Sequence, residues 1–216
     1  PDDRVLSRLG YERRVAEQAL LEGGQVAARV RAIGARLRKH GVAADLLGIP
    51  EKTAEELVAE WERLAEAYPR AAELWRSVGP DVTMDRLLSS QWLGYRSGDM
   101  LWNPGPLTLE RIALLGWLRW LAQTGDHPAG CHTLAAIACH EFGHAAEDAV
   151  RAALGRRAWA CLQESLEACG IPGYAEERKP ECFAVAFATL HHGDDDSPGV
   201  LRAVALVDEA LTHVRR

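Results

Sequence analysis

The chain has 216 residues, with 25 Lys plus Arg against 31 Asp plus Glu and a formal net charge of −6. That length suits one globular domain or a domain with an appendage, and 48% hydrophobic residues exclude wholesale disorder. The mild acidity argues against sequence-independent nucleic-acid binding, and no apolar run approaches a membrane span.

In chain order, Val5, Leu9, Val15, Ala19 and Leu20 recur at helical spacing, and Val26, Val30, Ile33 and Leu37 repeat the pattern up to a stop at Gly41. Gly48-Ile49-Pro50 is the expected boundary. Residues 1–50 then form an N-terminal helical segment (a hairpin, a linker to a missing domain or a partner-binding arm), and residues 51–216 form the main domain. Thr53-Ala54-Glu55-Glu56 reads as a capping box opening a helix that carries Leu57, Trp61 and Leu64 and ends at Tyr68-Pro69. Gln91–Arg96 and Asp99–Asn103 flank Ser97-Gly98 as a hairpin of short strands. Leu107–Leu121 returns to helix, Gln123–Gly130 is a loop, and the rest is helical apart from breaks near 170–179 and 192–198. The expected fold class is mainly α with a small β-sheet (α+β).

The five cysteines, Cys131, Cys139, Cys161, Cys169 and Cys182, form no close CxxC pair. Four of them lie in segments that read as helix and are expected to be small buried hydrophobes, in a chain working in a reducing cytosol. The chain opens at Pro1 without Met or signal peptide, as expected of a piece of a larger, delivered or secreted protein.

The informative segment is His140-Glu141-Phe142-Gly143-His144, a match to H-E-x-x-H. Such a match would arise by chance on the order of 0.03 times in a chain of this composition. The Ala-rich, Pro-free flanks predict a helix, which sets both imidazoles on one face to share a zinc ion. Glu141 is rotated away from the pair, suited to act as general base on water. Catalytic zinc generally takes a third protein ligand. The position a third His would occupy is Val150, which leaves a Glu on a later helix. Glu181, just after Pro180 and before the apolar run Cys182–Phe187, is favoured over the polar Glu176 and Glu177; Glu164 and Glu167 are weaker alternatives. Asp148, four residues past His144, could accept an N–H bond from a ligand imidazole.

These residues resemble the anthrax lethal factor type of zinc metallopeptidase. The likeness rests on His140–His144 with the acidic pair Glu147-Asp148, and on Gly173-Tyr174-Ala175 followed seven residues after the Tyr by Glu181-Cys182-Phe183-Ala184-Val185-Ala186-Phe187. Val185 stands where that family's block typically carries a second Glu. The matched blocks span roughly 138–191; residues 51–104 are only loosely similar in layout, and 1–50 support no carry-over. The resemblance implies a zincin-like fold whose sheet edge borders the cleft. It implies a His140, His144, Glu181 ligand set for Zn2+ and a Tyr174 phenol that donates to the oxyanion. The expected activity is endopeptidase cleavage of a protein or peptide substrate by a toxin or effector domain, with Met100–Asn103 as the substrate-aligning strand. The rival expectations are a non-catalytic structural zinc protein and an intracellular gluzincin that cleaves a repressor.

Overall fold

The computed structural model describes residues 12–15, 17, 24–81, 93–109, 111–124, 133–171, 181–193 and 197–215. Helix α1 (Gln25–Ala35) buries Ala27, Val30 and Ile33, and tightens into a 3-10 turn over Arg36–His40. That turn ends at Gly41, whose φ of 80° is the left-handed conformation that favours glycine at a helix stop. Strand β1 (Ala43–Ala44) follows directly. At Gly34 a Cβ would lie 3.3 Å from the Ala44 Cβ, so the missing side chain lets α1 settle onto β1.

Helix α2 (Glu51–Ala67) begins two residues before the expected capping box. Pro50 sits at the N-cap without a side-chain bond, and Thr53 is buried inside the helix. A proline ahead of the first turn forfeits no helical N–H bond, which accounts for the earlier start. The helix ends at Tyr68 as the Tyr-Pro step predicts, and α3 (Pro69–Leu74) restarts with proline in its first turn.

Strands β2 (Ser77–Pro80), β3 (Leu93–Arg96) and β4 (Asp99–Trp102) complete a four-stranded sheet in the order β1-β2-β4-β3. β1, β2 and β4 are parallel neighbours, and β3 runs antiparallel to β4. The expected hairpin is present. Ser97 and Gly98 have φ of 49° and 95°, the positive pair that matches the twist of a two-residue turn. Through β1 and the burial of Val30, Ile33 and Leu37, residues 25–50 share the sheet and hydrophobic core with the chain beyond Pro50.

A short turn α4 (Pro104–Leu107) leads to α5 (Arg111–Thr124), which buries Leu114 and Leu118. The long α6 (Leu134–Glu167) crosses the centre and is kinked at Gly155. Helix α7 (Cys182–His192) is buried from Cys182 through Ala188, and α8 (Pro198–Leu211) packs over it. Trp61, Trp75, Phe142, Phe183 and Phe187 fill the space between these layers. The edge-on pairs Trp61–Trp75 and Trp75–Phe142, with centroids 5.6 and 6.0 Å apart, tie α2 and the sheet approach to α6. Cys139, Cys169 and Cys182 are buried as expected; Cys161 is exposed, and Cys131 lies outside the described residues. The architecture is mostly helical with a small mixed sheet. Among the described residues no helix is long and apolar enough to cross a membrane.

Candidate metal centre

Thr133 opens α6 by accepting the Ala136 N–H on Oγ1 at 3.1 Å, which fixes where the helix begins and so which side chains face the core. Trp61 donates its indole N–H to the Ala138 carbonyl at 3.2 Å, pinning the turn that carries His140. The four-residue spacing then brings the His140 and His144 rings to 5.2 Å between centroids, perpendicular to one another.

Glu181 occupies the N-cap of α7, where a side chain ordinarily bonds its own helix, yet it makes no capping bond. Its carboxylate reaches across to α6 instead. Oε2 lies 3.2 Å from Nε2 of His140 and 3.2 Å from Nε2 of His144. These three atoms are the convergent donor set expected from the sequence, with Glu181 in the third position. Two imidazole nitrogens and a carboxylate oxygen around one ion, with bonds of about 2.0–2.1 Å, stand on the order of 3.3 Å apart at the edges of a tetrahedron. The observed separations fit that figure.

The electrostatics also favour a cation. Burial works to lower the His144 pKa. Glu147 and then Glu181, helped by the charge of Glu141, overcome it and push the value up to about 10. Burial of Glu181 works the other way, but the two imidazoles hold its carboxyl well below the usual carboxylate range. A proton on His144 therefore takes the place of positive charge among Glu141, Glu147 and Glu181. A divalent ion in that position supplies the same charge without the proton.

Asp148 does not take the expected place beside a ligand imidazole. It is bonded to Arg151 and to the Tyr95 hydroxyl. The carboxylate facing the outward Nδ1 of His144 belongs to Glu147, at 3.6 Å, because the shorter Asp side chain is claimed by partners on its own flank. Tyr95, on β3, stacks on the His144 ring at 13° between planes and 6.5 Å between centroids. Neither Glu147 nor Tyr95 is among the site residues expected from the sequence. The three-residue step from His144 could have flagged Glu147, whereas Tyr95 depends on how the sheet docks against α6.

Glu141 is 9% exposed, next to His140 and turned from the ligand face by the helical rotation. Val185 is buried in α7, where its side chain packs in the core. Tyr174 lies outside the described residues. The expected substrate strand at Met100–Asn103 needs correction. β4 is paired on both sides, by β2 and β3, so its main chain has no open edge; the outer strands among those described are β1 and β3, and β3 is the one that packs on α6. Beside Glu147, a cavity of about 180 Å³ is lined by Arg151, Trp159, Gln163, Leu166, Cys182 and Phe183.

Compared with protein-family models, curated proteins and solved structures, the chain matches none.

Proposed function

We propose that this chain is a zinc-dependent endopeptidase with a zincin-like arrangement of the lethal factor kind. The observation that carries the proposal is the convergence of His140 Nε2, His144 Nε2 and Glu181 Oε2, with Glu141 buried one residue from the first of them. The helix pair α6–α7, set against a sheet whose outer strand β3 runs antiparallel to β4, is consistent with that reading.

In this proposal His140, His144 and Glu181 hold the ion through the three atoms named. Zinc bound there supplies a Lewis acid, which makes water acidic and polarises a carbonyl. Glu141 takes the proton from the attacking water on its carboxylate and delivers it to the departing amine nitrogen. Tyr174 donates its phenolic O–H to the carbonyl oxygen as negative charge develops there. Glu147 and the Tyr95 ring keep the His144 imidazole oriented, so that Nε2 stays aimed at the ion. The outer edge of β3, which packs against α6, offers main-chain groups to an extended protein segment.

The test is release of new α-amino groups from a mixture of denatured proteins incubated with the zinc-loaded chain. Release that a chelator stops and zinc restores is the expected result. No release from any protein in the mixture by a folded, zinc-loaded chain would overturn the proposal.

A further inference from the structure

A second group of ligand-type side chains lies on the far side of the turn that carries His140. Glu60 comes from α2, Cys139 from α6 and His192 from the last residue of α7. One donor atom from each lies within 4.8 Å of the other two. Glu60 and Cys139 are buried, and the His192 side chain is 24% exposed.

We propose that Glu60, Cys139 and His192 form a second metal site, which binds a thiophilic divalent ion such as zinc and clamps α2 and α7 to α6. The inference goes beyond the peptidase reading and does not depend on it.

The donor set is the first reason. A thiolate, an imidazole and a carboxylate are all zinc ligands, and the thiolate selects against magnesium and calcium. Placement is the second. Glu60 sits among Leu57, Trp61 and Leu64 on the buried face of α2, where an ionised carboxylate needs a compensating positive charge. His192 approaches Glu60 through Nε2 at 2.8 Å from Oε1, the same carboxylate-to-imidazole approach that Glu181 makes at the first site. Its chain neighbour His191 turns instead to the Tyr68 hydroxyl at 3.0 Å, so the two adjacent imidazoles go to different partners.

Arg63 also bonds Glu60, with Nη2 at 2.6 Å from Oε1 and Nε at 2.9 Å from Oε2. Its side chain is 46% exposed and reaches the carboxylate from solvent. On metal binding, Oε1 and Nε2 turn from each other to the ion while Arg63 retains Oε2 or swings out. Cys139 Sγ loses its proton, as does His192 Nε2 where that nitrogen is protonated, and these protons pass to solvent. Since Cys139 directly precedes His140 on the helix, the two sites face different directions from a single turn.

Cobalt(II) titration of the full chain is the test, because the first site contains no thiolate. Two equivalents should bind, one of them with a near-ultraviolet thiolate-to-cobalt charge-transfer band. Cys139→Ala should lose the band and one equivalent, and His192→Asn should do the same. His144→Ala should keep the band and lose the other equivalent, which separates failure of this site from failure of the first. Absence of the band in the folded wild-type chain overturns the proposal, and that readout requires no variant to fold. A band that survives in folded Cys139→Ala overturns it as well, by assigning the thiolate to another cysteine.

Discussion

The ring of Tyr95 lies nearly parallel to the imidazole of His144, 13° apart in plane, while its hydroxyl bonds Asp148 one turn further along α6. Burial first, and then the charge of Asp148, push the Tyr95 pKa up to about 12, so the phenol stays protonated and donates. One residue of an outer strand thereby braces both the ring of a candidate metal ligand and the helix that carries it.

Tyr95→Phe keeps the ring and loses only the bond to Asp148, whereas Tyr95→Leu loses both. Supports of ligand orientation are commonly worth 10–100-fold in metal affinity, so the Leu variant should bind zinc on the order of tenfold more weakly. The Phe variant should stay within about threefold of wild type, by the same reasoning. Competition titration against a chelator measures both; equal affinity in the Leu variant would show that the stack holds nothing.

Gly143 lies between the two motif histidines, where α6 meets α7. A Cβ there would lie 3.1 Å from the Ala184 Cα and 3.3 Å from the Phe187 Cβ. The nearest atom is backbone, so relief requires α7 to move, and α7 carries Glu181 at its start. Alanine gains about 1 kcal/mol of helix propensity over glycine, while overpacking of this kind costs about 1–3 kcal/mol. Gly143→Ala should therefore be less stable by denaturant unfolding and should bind zinc more weakly. A variant more stable than wild type would mean that the helix pair is looser than its contacts indicate.

Much of this site could be read from sequence because it depends on local spacing. A four-residue step on an Ala-rich helix decides that His140 and His144 share a face, and Pro180 ahead of an apolar run marks where Glu181 enters α7. Ser97-Gly98 between aliphatic and aromatic runs specifies the hairpin. The relationships that spacing does not encode are long-range. Tyr95 meets His144 only because β3 docks on α6, and Glu60, Cys139 and His192 come from three helices separated by many residues. Glu147 and Asp148 both fall on the His144 flank by helical spacing. Which one faces the imidazole was decided by Arg151 and Tyr95 engaging Asp148, a competition that spacing alone does not resolve.

Acid should loosen the packing of the N-terminal helix through Glu62, which bonds Arg36 and Lys39 from the 3-10 turn. Burial raises its pKa, but the two cations outweigh burial and leave the folded value below that of an ordinary Glu carboxyl. The folded state therefore binds fewer protons than the unfolded state. The contribution is fully present above about pH 4.5 and fades as pH falls through the lowered folded value. Arg36→Met should lose about 1 kcal/mol near neutrality, and its Tm gap from wild type should narrow between pH 7 and pH 3. A gap unchanged over that range would assign the effect to packing.

Zinc should stabilise the chain, because the three donors of the first site come together only when α6 and α7 are packed. Free zinc at 100 times Kd contributes about 2.7 kcal/mol, a rise in Tm of roughly 5–10 °C for a chain of this size. His144→Ala should forfeit that share of the rise. A His144→Ala chain that gains as much from zinc as wild type would place the stabilising ion elsewhere.

The most direct measurement of the central claim is a mass-spectrometric count of new protein N-termini produced by zinc-loaded wild type and zinc-loaded Glu141→Gln at equal zinc content. The wild-type chain should generate new termini that fall by about 100-fold or more in the variant, since general-base catalysis typically contributes 10²–10⁴-fold. Bound zinc should remain near the wild-type level. Undiminished cleavage by Glu141→Gln, or no cleavage by the zinc-loaded wild type, would contradict the account.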